Sequence, residues 1–97
     1  MNSITIDDLE KDKTIHRIDI RDQYAFRQGT IPFSKNIPYI LVISNPQMYL
    51  NINEKYCIFC EYGITSERAC QTLETKGYNV RNLIGGYQQY VQRKKLF

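Results

Sequence analysis

The stretch Tyr56-Cys57-Ile58-Phe59-Cys60-Glu61-Tyr62-Gly63-Ile64-Thr65-Ser66-Glu67-Arg68-Ala69 divides into an apolar run, a small loop and the start of a helix. The run is short and rich in aromatic and β-branched residues, the composition of a buried strand. Gly63 allows the loop backbone angles closed to other residues. Ser66 reads as an N-cap, with Ala69, Cys70 and Leu73 following at helical spacing. Cys60 therefore lies where a strand ends and a loop folds back to a helix N-terminus. The first turn of a helix leaves four N–H groups without intrahelical partners and carries about half a positive elementary charge. Such a field favours a thiolate, the nucleophilic form of cysteine.

Outward from this stretch, strands and helices alternate. Ser3-Ile4-Thr5-Ile6 reads as an edge strand leading into a helix capped by Thr5, with Asp7 and Asp8 suiting its first turn. Residues 14–20 read as a strand with Ile18 and Ile20 on one face. Asp22 caps a short helix over Gln23–Gln28, which Gly29 closes at the C′ position. Asn36-Ile37 reads as a short strand before Pro38, Tyr39–Ser44 as a helix, and a further turn follows Pro46. Lys55–Phe59 is a strand and residues 66–76 a helix stopped by Gly77. Residues 78–83 form the last strand, Gly85-Gly86 breaks it, and residues 87–93 make a terminal helix. This alternation predicts an α/β fold, a central parallel sheet of about five strands with helices on both faces. Ligands of such sheets bind beyond the carboxyl ends of the strands, where Cys60 falls.

The bulk properties set limits. A chain of 97 residues suffices for one small domain, expected to span 1–97. Its 42% hydrophobic and 24% charged residues are ordinary for a water-soluble globule. No apolar run is long enough to span a bilayer, and the opening residues lack a secretory pattern. Three cysteines make no regular disulfide framework, which points to reduced thiols and a cytoplasmic setting. The net charge of +3 is mild. Arg93-Lys94-Lys95 reads as a solvated helix end complementing the dipole rather than a nucleic-acid or membrane contact.

Four separated motifs together resemble the rhodanese-like domain family. They are Ile18-Asp19-Ile20-Arg21-Asp22 with Tyr24-Ala25-Phe26; Gly29-Thr30-Ile31-Pro32 with Asn36-Ile37-Pro38; Cys60 through Ser66; and Leu83-Ile84-Gly85-Gly86 with Tyr90. The resemblance covers nearly the whole chain. It implies a sulfurtransferase in which Cys60 carries sulfane sulfur as a persulfide, moving it from a donor to a thiol or other nucleophilic acceptor. The donor is expected to be a small-molecule or protein persulfide, and no cofactor is implied. Glu61, Tyr62, Gly63, Ile64, Thr65 and Ser66 would form the substrate-binding loop. Its N–H groups can curl around the sulfur as an anion nest, and the hydroxyls of Thr65 and Ser66 can add donors. The resemblance also suggests structural roles near the site for Asp19, bonding loops at the strand ends, and for Arg21, pairing with a carboxylate. Gly85 and Gly86 would permit the tight strand-to-helix turn at the rim.

The chain departs from the family pattern at informative places. Thr65 stands where many members carry an arginine that would hold an anionic donor, and Glu61 adds a negative charge beside the nucleophile. Both should weaken binding of small dianions and stabilise the thiolate less, so thiosulfate turnover is expected to be weak. Arg68, early in the helix, is a candidate to neutralise Glu61 or to approach the substrate mouth. Tyr62 is placed either to shape the entrance or merely to lean on the protein. Cys57-Ile58-Phe59-Cys60 is a nominal C-x-x-C, but positions three apart on a strand point to opposite faces, which places Cys57 in the core. Cys70 should pack on the inner face of its helix. His16 and the cysteines show no metal-ligand spacing, and no metal site is expected. A competing reading is a non-catalytic interaction module of the same fold. A cysteine phosphatase needs a larger loop and an arginine to clamp phosphate oxygens, whereas position 66 is serine and the residue before Cys60 is Phe59.

Overall fold

The chain runs β1 (Ser3–Ile4), α1 (Ile6–Lys11), β2 (His16–Asp19), α2 (Gln23–Gln28), β3 (Ser34–Asn36), α3 (Tyr39–Ser44), α4 (Pro46–Tyr49), β4 (Lys55–Phe59), α5 (Ile64–Thr75), β5 (Asn79–Leu83) and α6 (Gly86–Leu96). These elements come from a computed structural model describing residues 2–96; Met1 and Phe97, the two ends of the expected 1–97 domain, lie outside the described residues. The strands form one five-stranded sheet in the order β1-β5-β4-β2-β3, and every neighbouring pair is parallel. The expected α/β architecture is therefore the observed one.

Local chemistry accounts for most boundaries. Thr5 Oγ1 accepts from Asp8 N at 3.1 Å and opens α1; Asp22 Oδ1 accepts from Ala25 N at 2.8 Å and opens α2. Pro46 sits in the first turn of α4, where its missing N–H costs nothing. The strand expected over 14–20 begins only at His16. Asp12 Oδ1 takes the N–H groups of Thr14 (2.8 Å) and Ile15 (3.2 Å) into a turn before the ladder starts. Gly29 closes α2 as expected, with an extended backbone (φ 161°, ψ 143°) and its N–H donated to Phe26 O; a Cβ there would lie 2.5 Å from the Tyr87 hydroxyl, so a side chain would displace that ring.

The sheet is covered on both sides. On β4 the alternation is clean: Tyr56, Ile58 and then Cys60 join one core cluster, with Val42 of α3 and Ala69, Cys70 and Leu73 of α5. Cys57 and Phe59 join the other, with Ile6 and Leu9 of α1 and the half-buried Tyr87 and Tyr90 of α6. As a central strand flanked by β5 and β2, β4 is apolar on both faces. Its carboxyl end therefore delivers Cys60 into a rigid frame between the two helical layers.

Candidate active site

β4 ends at Phe59, and residues 60–63 form the loop that leads into α5. The helix starts two residues earlier than the sequence suggests. Gly63, not Ser66, occupies the N-cap, at φ 96°. Glycine takes that angle without the strain a side chain would meet. The earlier start moves Ser66 into the first helical turn. There it is fully buried, and its N–H points back along the axis at the sulfur.

Cys60 is 6% exposed, and three groups surround its Sγ. Gly63 N and Ser66 N each donate to it at 3.2 Å, and Ser66 Oγ lies 3.2 Å away. Two backbone N–H groups, one of them in the first turn of α5, thus point at the sulfur, an arrangement that favours negative charge there. The N–H groups of Ile64 and Thr65 precede the intrahelical ladder of α5, whose first bond runs from Glu67 N to Gly63 O. Thr65 is exposed, and its hydroxyl is not among the groups bonded to the sulfur, contrary to expectation. Ile64 and Tyr62 are exposed as well, at the rim.

Two supports stand behind the loop, and sequence reasoning missed the first of them. Asn82 of β5, 6% exposed, donates through Nδ2 to Gly63 O at 3.1 Å, and its Oδ1 accepts from the Ser66 hydroxyl. The one available signal was its place in the strand: Val80 and Asn82 share a face, and an inward polar residue in an otherwise apolar row needs a partner. The second support is α6. Tyr87 N donates to Cys60 O at 2.9 Å and Gln88 N to Glu61 O at 3.0 Å. Gly85 (φ 78°) and Gly86 (φ 63°) turn the chain so that these amides reach the loop. A Cβ on Gly86 would stand 2.7 Å from both Cys60 O and Glu61 O, so the glycine pair is a close-approach device as well as a turn.

Asp19 and Arg21 meet beside the loop. The fully buried Asp19 carboxylate accepts from Arg21 N (2.9 Å), Arg21 Nη2 (2.8 Å) and Thr30 Oγ1 (2.8 Å). Arg21 also donates to Gly29 O at 2.6 Å and to Glu61 Oε1 at 3.0 Å, with its guanidinium 4.2 Å from the Tyr87 ring centre. Burial works against the Arg21 charge, but the bonds to Asp19 and then Glu61 outweigh it and raise the group above its ordinary value. Glu61 is neutralised by Arg21, not by Arg68. Its side-chain bonds to Gln88 and then Arg21 hold its carboxyl below the usual carboxylate range. The Glu61 carboxylate is thus held by Arg21 and by Gln88 of α6, at a shallow groove of about 280 Å³ lined by Arg21, Tyr24, Gln28, Glu61 and Tyr87. Cys57 and Cys70 are fully buried, and burial pushes both thiols up to about 12. Cys60 is thus the cysteine set at a strand end among N–H donors.

The sequence model of one family, described as a rhodanese-like domain, matches residues 5–93. The chain belongs to the rhodanese-like family. A rhodanese-related protein from Thermoplasma volcanium superposes with a TM-score of 0.88 at 28% identity, over 96% of this chain and 93% of that one. A rhodanese-like domain protein from Staphylococcus aureus gives a TM-score of 0.82 at 33% identity, over 91% of this chain and 89% of that one. YtwF of Bacillus subtilis (strain 168), whose name assigns it provisionally to the sulfurtransferases, is 27% identical over 78 residues, 80% of this chain and 75% of YtwF. Membership in the rhodanese-like family agrees with the four motifs and with the parallel sheet. Among the described residues no helix is long and apolar enough to cross a membrane.

Proposed function

We propose that this chain is a single-domain sulfurtransferase that moves sulfane sulfur through a persulfide on Cys60. The observation that carries the reading is the position of Cys60 Sγ, at the end of β4 and 3.2 Å from both Gly63 N and Ser66 N. These donors stabilise negative charge on sulfur without titrating themselves. Membership in the rhodanese-like family and the name of YtwF support the same chemistry.

The reaction has two balanced displacements. The Cys60 thiolate attacks the outer sulfur of a donor persulfide; the donor S–S bond breaks, the donor leaves as a thiolate, and Cys60 carries the new S–S bond. An acceptor thiolate then attacks that outer sulfur, takes it as its own persulfide and returns Cys60 to the thiolate. The bound outer sulfur would meet the N–H groups of Ile64 and Thr65. No cofactor or metal is required, and the exchange suits a reducing cytoplasmic setting, where donor and acceptor persulfides and thiols coexist. Thiosulfate is a poor donor on this reading. The loop from Cys60 to Ser66 contains no cation, and Arg21 is already engaged by Asp19, Gly29 and Glu61.

Incubation with a low-molecular-weight persulfide followed by intact-mass measurement tests the proposal. The wild type should gain the mass of one sulfur atom, lose it on addition of a thiol, and show neither change as Cys60→Ser. A wild type that gains no sulfur from any of several persulfide donors, with Cys60 alkylating no faster than an ordinary cysteine, would instead identify a non-catalytic rhodanese-like interaction module.

A further inference from the structure

We propose that Asn82 is a positioning residue that orients the Ser66 hydroxyl, so that Ser66 accepts a hydrogen bond from the Cys60 thiol and withholds its own proton from the thiolate. The argument is one of donors and acceptors. Gly63 O is a carbonyl and can only accept. The Asn82 atom 3.1 Å from it must therefore be the amide nitrogen. That fixes the orientation of the amide and turns Oδ1 towards Ser66. An amide oxygen can only accept, so the single hydroxyl proton of Ser66 goes to Asn82. Ser66 Oγ is left to face Cys60 with lone pairs, and across the 3.2 Å contact the donor is the Cys60 S–H.

Ionisation of Cys60 disturbs this chain. Either a lone pair of Ser66 then faces an anion, or the hydroxyl turns to the sulfur and leaves Asn82 Oδ1 unpaired in a buried site, which is costly. The backbone donors Gly63 N and Ser66 N stabilise the thiolate, while Asn82 competes with it for the Ser66 hydroxyl proton. The titratable and charged groups around the thiol are Cys70 on α5, Tyr39 on α3, Asp19 at the end of β2 and Arg21 just after it, Glu61 next in the chain and Tyr87 on α6. None of them is changed in the variants below. The inference concerns the ionisation of Cys60 and does not depend on sulfur transfer, to which it is linked only through the supply of thiolate.

The rate of Cys60 alkylation by iodoacetamide, followed peptide by peptide across pH on the full chain, reads the thiolate fraction directly. Asn82→Leu removes the competing acceptor, and its profile should move to lower pH by about one unit, a tenfold gain in thiolate at a given pH below the midpoint. Adding Ser66→Ala should cancel that gain, because the freed hydroxyl is then absent. Ser66→Ala alone should leave the profile in place or move it slightly down, since only a weak thiol acceptor is lost. An upward shift of a unit in Ser66→Ala would mean that the hydroxyl donates to the thiolate, and would overturn the proposal. A folded Asn82→Leu with an unmoved or raised profile would overturn it as well. If Asn82→Leu does not fold, the direction of the Ser66→Ala shift decides alone. Sulfur loading of the same variants is measured separately by mass, so a failure of the sulfurtransferase reading leaves this titration interpretable.

Discussion

Arg21 ties three parts of the chain together beside the site, the end of β2, the turn after α2 and the loop after β4. Its fork is bidentate on the buried Asp19 carboxylate and reaches Glu61 and the Gly29 carbonyl with the remaining donors. Arg21→Ala would leave a fully buried carboxylate without its cation, a loss of about 3–5 kcal/mol that urea unfolding would measure. Arg21→Lys should recover little of this, because a point charge cannot engage Asp19, Glu61 and Gly29 together. The thiols allow a second prediction at this scale. Cys57 is raised from 9.0 to about 12 by burial, so its protonated form is favoured in the folded chain. A raised value contributes stability below the ordinary thiol range and loses it as pH climbs from about 9 towards 12. Cys57→Ala should therefore flatten the alkaline fall of the urea midpoint, although it lowers stability at neutral pH by removing packed sulfur.

At the level of elements, the junction of β5 and α6 matters as much to the site as the loop that bears the cysteine. The turn at Gly85 and Gly86 lets α6 place the Tyr87 and Gln88 amides on the Cys60 and Glu61 carbonyls. Gly86→Ala adds a methyl group 2.7 Å from two carbonyl oxygens at a φ of 63°, where side chains are strained. The expected cost is about 2 kcal/mol or more in denaturant unfolding, together with slower sulfur loading of Cys60. A Gly86→Ala protein that loads at the wild-type rate would show that α6 does not position the loop. The start of α5 teaches a related lesson. In sequence, Ser66 has the features of a cap. Yet Gly63, free to take a left-handed angle, begins the helix first, and Ser66 becomes a buried donor to sulfur.

Across the whole molecule, stability should fall on acidification for an identifiable reason. Gln88 and then Arg21 keep Glu61 below the ordinary carboxylate range. A lowered value contributes stability above that range and loses it as pH falls through the folded-state value, so the acid limb begins below about pH 4.5. Asp12, tied by Lys55 and by the Thr14 side chain and amide, acts in the same direction at the opposite end of the sheet. Gln88→Ala should shift the acid midpoint to higher pH, measured by circular dichroism against pH. The same fold keeps its sheet edges short: β1 has two residues and β3 three, which limits edge-to-edge pairing between chains.

Much of this protein was determined by local sequence. The caps at Thr5 and Asp22, the apolar β4 run and the alternation of strands with helices depend on interactions within a few residues, and each appears where local chemistry puts it. Cys60 at a strand end before a helix is legible for the same reason. Other features were decided only in three dimensions. Arg21 and Glu61 lie 40 positions apart, and Asn82 and Ser66 lie 16 apart; their contacts exist because β2, β4 and β5 are neighbours in one sheet. Burial does the rest. Polar groups shut away from water must find partners among whatever the sheet brings close, and that requirement paired Asp19 with Arg21 and joined Ser66 to Asn82.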